Sequence, residues 1–238
     1  MGGGLALQNI FAGLIFYDAD GAPVNDVAES IESDDAQNYT VTIREGLEFT
    51  NGEPVTAQSF VSAWDYGAVL SNAQVNSYFF DNIVGFSYDE DSHIEGAGLN
   101  VVDDTTFTVE LSQPEADWPL RLGYTAFLPL PEVAFEDMEA FGEEPIGNGP
   151  YMLDEWVHDE RISIVVNPDY DGPRTPQNGG IDLVAYTSLD GAYADLLADN
   201  LDVLDAIPPT SLQQYADDLG DRAYNQPAAI FQSFTIPE

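Results

Sequence analysis

The chain has 238 residues, 44% hydrophobic and 12% aromatic, which is long and apolar enough to bury a core and unlike a disordered acidic tail. Five Lys plus Arg stand against 43 Asp plus Glu, for a net charge of −38, and all five cations are arginines. That field repels phosphate backbones and offers nothing basic to anionic lipid, which argues against nucleic-acid binding and rules out polybasic membrane attachment.

The acids are scattered rather than clustered. They read as solubility or adaptation to salt, with cations and bound water screening the self-repulsion; an engineered lysine-free sequence is the alternative. Absence of cysteine removes disulfides, thiol catalysis and Cys-type zinc sites. No apolar run reaches the roughly 18 residues that span a bilayer. The start, Met1-Gly2-Gly3-Gly4-Leu5, has neither the charged n-region nor the h-region of a signal peptide, so an exported form is expected to have lost its signal.

In chain order, residues 5–11 (LALQNIF) predict an apolar helix broken at Gly13, and residues 14–17 a short strand turned by Asp18-Ala19-Asp20-Gly21. Residues 27–31 are apolar but short. Residues 39–44 alternate strictly with β-branched side chains and predict a strand. Asn51-Gly52 marks a tight turn, and Thr56 is a natural N-cap for a helix carrying Phe60, Val61 and Trp64. Residues 105–111 alternate again, Pro114 ends them, and a short helix is expected over 118–122. Proline turns follow at Pro129, Pro131, Pro145 and Pro150, then strands over 161–166 and 181–186. Residues 190–200 predict a helix with Tyr193, Leu196 and Leu197 on one face, before an apolar strand over 201–204. Strand, helix and strand at that spacing read as a right-handed βαβ unit, hence an α/β class with at least one mostly parallel sheet.

Catalytic patterns are missing. The pairs Asp34-Asp35, Asp103-Asp104 and Asp217-Asp218 are expected by composition alone and should face solvent. His93 and His158 lie far apart in polar stretches with no second histidine at ligand spacing, so surface or turn positions suit them better than zinc or a triad. Asp18-Ala19-Asp20-Gly21 has its glycine too early for a calcium loop, and no distal Glu follows in register. Without lysine there is no Walker A motif and no Schiff base, and no G-x-S-x-G elbow occurs. The expectation is therefore no catalytic residue, no metal, no cofactor and no enzyme activity.

Three ordered stretches are more specific. The first runs Val27-Ala28-Glu29-Ser30, then Asn38 to Gly46 (NYTVTIREG), then Phe49 to Phe60 (FTNGEPVTAQSF). The second is Pro145-Ile146-Gly147-Asn148-Gly149-Pro150-Tyr151, followed by Trp156 and Asn167-Pro168-Asp169-Tyr170. The third is the segment from Tyr186 to Leu204. Together they resemble the signature of family 5 solute-binding proteins, the oligopeptide, dipeptide and nickel binders of ABC importers. Asn148 stands where the family usually has Thr, and Asp171 where it has Trp. The stretch 122–131 looks particularly like actinobacterial peptide binders.

The resemblance implies a periplasmic-binding-protein-like fold (type II, cluster C). Residues 1–24 and 146–238 would form the first lobe and 25–145 an inserted subdomain. The second lobe would be missing, since residues 234–238 fall about where the family crosses into it, and the family's usual first strand is also absent. It implies a clamp that closes on an extended peptide and docks on ABC permease subunits. The location would be the periplasm or the outer face of the cell membrane, with membrane association only through a lost lipid anchor. Ligand contacts carried over from the family fall on Ala12, Gly13, Leu14, Tyr78, Phe79, Phe80 and Asn148. Tyr78 to Phe80 read equally well as core aromatics, and the chain by itself is expected to bind peptides weakly or not at all. Other readings are a family member tuned to nickel, haem or a sugar, an acidic carbohydrate-active enzyme, and a structural surface protein.

Overall fold

The computed structural model describes residues 2–225, in two units, Met1–Val184 and Ala185–Glu238. The crossing point expected at 234–238 lies outside the described residues.

The first unit opens with helix α1 (Gly2–Ile10), as its apolar sequence predicts, and burial of Ala6 and Ile10 fixes its inward face. Residues 11–14 lead from it into the hairpin β1 (Ile15–Tyr17) and β2 (Pro23–Asn25). The connection is a plain turn: Asp18 Oδ1 accepts the amides of Asp20 and Ala22 at 2.9 and 2.8 Å, and Gly21 takes φ +79°.

A four-stranded antiparallel sheet follows, with β3 (Ala28–Glu32), β4 (Asn38–Ile43), β5 (Leu99–Asp103) and β6 (Thr106–Glu110) in the order β3-β4-β6-β5. Alternation decides its faces: β4 buries Tyr39, Val41 and Ile43, and register sets Tyr39 against Val109 and Val41 against Phe107. Helix α2 (Ala57–Ala68) packs on that face, its start held by the Thr56 amide donating to Ser59 Oγ at 3.1 Å. Its Trp64 is fully buried, with the rings of Phe107, Phe127 and Trp118 centred 5.4, 5.1 and 6.4 Å away in edge-on packing. Gly52 takes φ +84° in the expected Asn-Gly turn. The expected short helix near Trp118 is a 3₁₀ turn, Trp118–Gly123, followed by another at Thr125–Phe127.

His93 is exposed, as expected, but it is tied to the core. Buried Asp65 on α2 accepts the amides of Ile94 and Glu95 at 2.8 and 3.0 Å, and its Oδ2 lies 2.6 Å from His93 Nδ1. The hydrogen bond to Asp65 raises the imidazole pKa above 6.5, and the charges of Asp65, Glu95 and Asp91 add to it. The sign follows from a raised folded value. The pair stabilises the fold fully below the unfolded pKa, and that contribution is lost as pH rises through the folded one. An NMR titration should show His93 turning over above 6.5 and shifting down in Asp65→Asn. An unchanged midpoint in the variant would remove the linkage.

A separate core joins α1 to the antiparallel sheet β7 (Tyr151–Val157), β8 (Arg161–Val166) and β9 (Gly180–Val184), through Ala6, Ile10, Phe11, Tyr151 and Ile164. In chain order the short helix α3 (Met138–Glu143) falls between the two sheets, capped by Asp137 Oδ1 accepting the Ala140 amide at 3.0 Å.

In the second unit, Ser188 Oγ accepts the Gly191 amide at 3.1 Å to start α4 (Leu189–Leu197), and α5 (Tyr215–Leu219) follows. The expected βαβ unit is not present. Residues 201–204 form no strand, and among the described residues every ladder is antiparallel, the sole parallel contact being a single bridge between Glu95 and Leu99. Leu201 and Leu204 instead pack against Tyr193, Leu196 and Leu219, while Val203 stays exposed. Three apolar residues in a run of four suit a loop closing a small core as well as they suit a strand, and periodicity over so short a run does not separate the two.

Candidate functional site

Everything at the candidate site depends on how the end of α1 is held. The 147–149 loop lies directly against it: the Gly149 amide donates to Ile10 O at 2.8 Å, and Gly147 O accepts the Thr50 amide at 2.8 Å. Between the two glycines, buried Asn148 reads the backbone of Ala12 in both directions. Its Oδ1 accepts the Ala12 amide and its Nδ2 donates to Ala12 O, each at 3.0 Å. Sequence reasoning placed Ala12 and Asn148 at a ligand, and the structure brings them together across 136 residues, but as a buried clasp.

The two glycines are there for space rather than for an unusual backbone angle. Neither has positive φ; a Cβ on Gly147 would stand 2.0 Å from Ile10 O, and one on Gly149 2.7 Å from Asn9 O. Close approach of two backbones is what excludes a side chain.

A second clasp holds the same helix end. Asp26, whose side chain is fully buried, accepts from Arg174 Nε at 2.7 Å and from the Tyr170 hydroxyl at 2.9 Å. The Arg174 guanidinium donates onward to the carbonyls of Gln8 and Phe11 and sits 5.7 Å from the Phe16 ring centre. Burial first, and the Asp26 charge second, push the Tyr170 phenol up to about 12, so it remains a donor. Arg44, just past the end of β4, forks between Asp26 O at 2.8 Å and Asp171 Oδ1 at 2.9 Å. Asp171, where the family's Trp would be, is thus the partner of a surface ion pair.

With its base fixed, the chain runs through Gly13 and Leu14 into β1. Leu14 is buried and its carbonyl accepts the amides of Asp26 and Ala28, while Gly13 O accepts that of Val27. The strand then delivers Tyr17 to the surface. There it meets Tyr124, ring centres 6.3 Å apart, and Tyr124 meets Phe79 at 5.2 Å, which stacks obliquely on Tyr78 at 4.7 Å. Tyr17, Tyr78 and Tyr124 are 40%, 53% and 53% exposed, and Phe79 is half-buried, so four aromatics form one open surface. Gly123 makes room for it, since a Cβ there would meet the Tyr17 ring at 2.6 Å. The Tyr17 hydroxyl donates to Leu120 O, and burial followed by the neighbouring Tyr124 raises its pKa.

The predicted aromatic run is therefore divided. Tyr78 and Phe79 belong to this surface, whereas Phe80 is core, beside Trp64 and Phe127. Sequence reasoning missed Tyr17 and Tyr124. Tyr124 lies in the stretch 122–131 that carried part of the family resemblance; for Tyr17 the only signal was its place at the end of a short strand. Such a surface offers π-faces and hydroxyls to a ligand and no nucleophile. Among the described residues no cluster of three or more His, Asp or Glu side chains is arranged to hold a metal ion, and no helix is long and apolar enough to cross a membrane.

Residues 22–237 match the family described as bacterial extracellular solute-binding proteins, family 5 Middle. The oligopeptide-binding protein OppA of Bacillus subtilis is 30% identical over 174 residues, covering 70% of this chain and 32% of that protein. The periplasmic murein peptide-binding protein MppA of Escherichia coli is 27% identical over 232 residues, covering 93% of this chain and 42% of that protein. A solved structure of Haemophilus influenzae OppA in complex with the peptide RPPGFSPFR superposes with a TM-score of 0.83 at 24% identity, over 92% of this chain and 44% of that one. The chain thus spans about a third to two fifths of the length of these curated relatives.

Proposed function

The chain belongs to the bacterial extracellular solute-binding proteins of family 5, and from that premise we propose that its aromatic surface is one wall of a cleft capturing extended peptides for an ABC importer. The observation that carries the reading is the open cluster of Tyr17, Tyr78, Phe79 and Tyr124 beside the doubly clasped end of α1. Tyrosines suit a peptide of unspecified sequence, because each presents an apolar ring and a hydroxyl at low entropic cost. Main-chain hydrogen bonds of strand-addition type would supply affinity without sequence preference, and water would adapt the side-chain pockets. Ala12, Gly13, Leu14, Phe80 and Asn148 then serve as support behind the wall. Closure on the ligand would present a surface to permease subunits on the outer face of the membrane or in the periplasm.

On the same reading, residues 1–24 and 146–238 form one lobe and 25–145 the inserted subdomain. The core joining α1 to the β7–β9 sheet is built mainly from the first of these, whereas the core beneath α2 also takes in Ala12, Leu14 and Ile15.

Titrating the chain with a short peptide such as trialanine, followed by NMR, should give saturable shifts centred on the four wall rings. Tyr124→Ala should weaken binding roughly fivefold, the equivalent of about 1 kcal/mol for one lost aromatic contact. Because the chain by itself is expected to bind weakly, the titration is carried to millimolar peptide, and saturable shifts that avoid these rings would overturn the assignment.

A further inference from the structure

On the other side of the same aromatic run lies a groove of about 260 Å³ between α1, α2 and α3. Adjacent residues divide between the two sides. Phe79 and Tyr124 face the wall, while Phe80 and the pair Thr125 and Ala126 line the groove. We propose that this groove is a second binding site, for a small uncharged apolar molecule about the size of a fused two-ring system.

Charge is the first argument. In a chain with 20% charged residues and a net charge of −38, no side chain lining the groove is charged. Shape is the second. Buried Phe11 and Phe80 make the floor, half-buried Leu128 and Leu130 one wall, and Met138 and Phe141 of α3 the other. An apolar cavity of about 150 Å³ takes benzene, so the larger volume here suits two fused rings. Methionine, unbranched and polarisable, adapts to ring edges. Tyr66, Gln74, Asn76 and Thr125, also in the lining, carry the few uncharged polar groups that orient a ligand in a mainly apolar pocket. The wall and the groove differ in kind: the wall is an open surface of exposed tyrosines, the groove a recess without a charge.

Gly142 supplies the test. It lines the groove from α3, has ordinary helical φ, and a Cβ built on it meets nothing within 4 Å. A leucine there has open space at the groove's edge, so it should narrow the groove without strain while favouring the helix. The probe is 6-propionyl-2-(dimethylamino)naphthalene, an uncharged two-ring molecule whose fluorescence rises and shifts to the blue in apolar surroundings. The parent chain should give a saturable one-to-one rise in fluorescence, and Gly142→Leu should weaken it at least tenfold without lowering the melting temperature. Nuclear Overhauser contacts from the bound probe should reach the methyl groups of Leu128, Leu130 and Met138 in the parent chain. No saturable rise, contacts to other residues, or unchanged affinity in the folded variant would each overturn the proposal.

Discussion

Replacing Arg174 by methionine is expected to destabilise the chain by about 3–5 kcal/mol, the cost of leaving a buried charge without its partner. The Asp26 side chain is fully buried, Arg174 is 19% exposed, and the ion pair between them is 2.7 Å long. Methionine keeps most of the apolar stem, so the loss reports the guanidinium rather than the packing. Two helix-end carbonyls, those of Gln8 and Phe11, lose their donor in the same substitution. The double variant Asp26→Asn with Arg174→Met removes the stranded charge and should recover part of the loss. Urea denaturation of the two single variants and the double variant measures this coupling directly. A loss below about 1 kcal/mol, the range of surface ion pairs, would mean the clasp carries little.

Gly147→Ala should cost about 3 kcal/mol or more, at or beyond the upper end of ordinary overpacking. The added methyl would sit 2.0 Å from Ile10 O, and the obstacle is backbone rather than the end of a flexible side chain. Relief requires the loop to move away from α1. That breaks the Gly149 to Ile10 bond and draws Asn148 off Ala12. Alanine at Gly142, where the space is open, is the control and should leave stability unchanged or slightly higher. If the two alanine variants melt alike, the close approach does not hold the loop. Because the same loop holds the backbone that leads into β1, amide exchange at Ala12 should accelerate in Gly147→Ala.

Local chemistry was legible in the sequence. The Asn51-Gly52 turn, the Thr56 cap, the Asp18 turn and the alternation in β4 and β6 each depend on residues a few positions apart, and each appears where its pattern places it. Exposure of Asp34, Asp35, Asp103, Asp104, Asp217 and Asp218 was equally predictable, since ionised carboxylates remain in water unless paired. The ordered motifs pointed to the family, which the comparison bears out. The parallel sheet failed for the opposite reason: strand direction is a pairing property, and residues 201–204 carried too little pattern to specify a partner.

The tertiary structure alone decided the site. The sequence established an acidic, cysteine-free chain of the family 5 solute-binding type, with its turns, caps and strand faces, because those follow from composition and neighbours along the chain. That Asn148 is a clasp, that Arg174 reaches Asp26 across 148 residues, and that Tyr17 and Tyr124 share one surface were decided by folding. Each contact links segments remote in sequence. A side chain's role there depends on which backbone or ring arrives beside it, and no local pattern records that arrival.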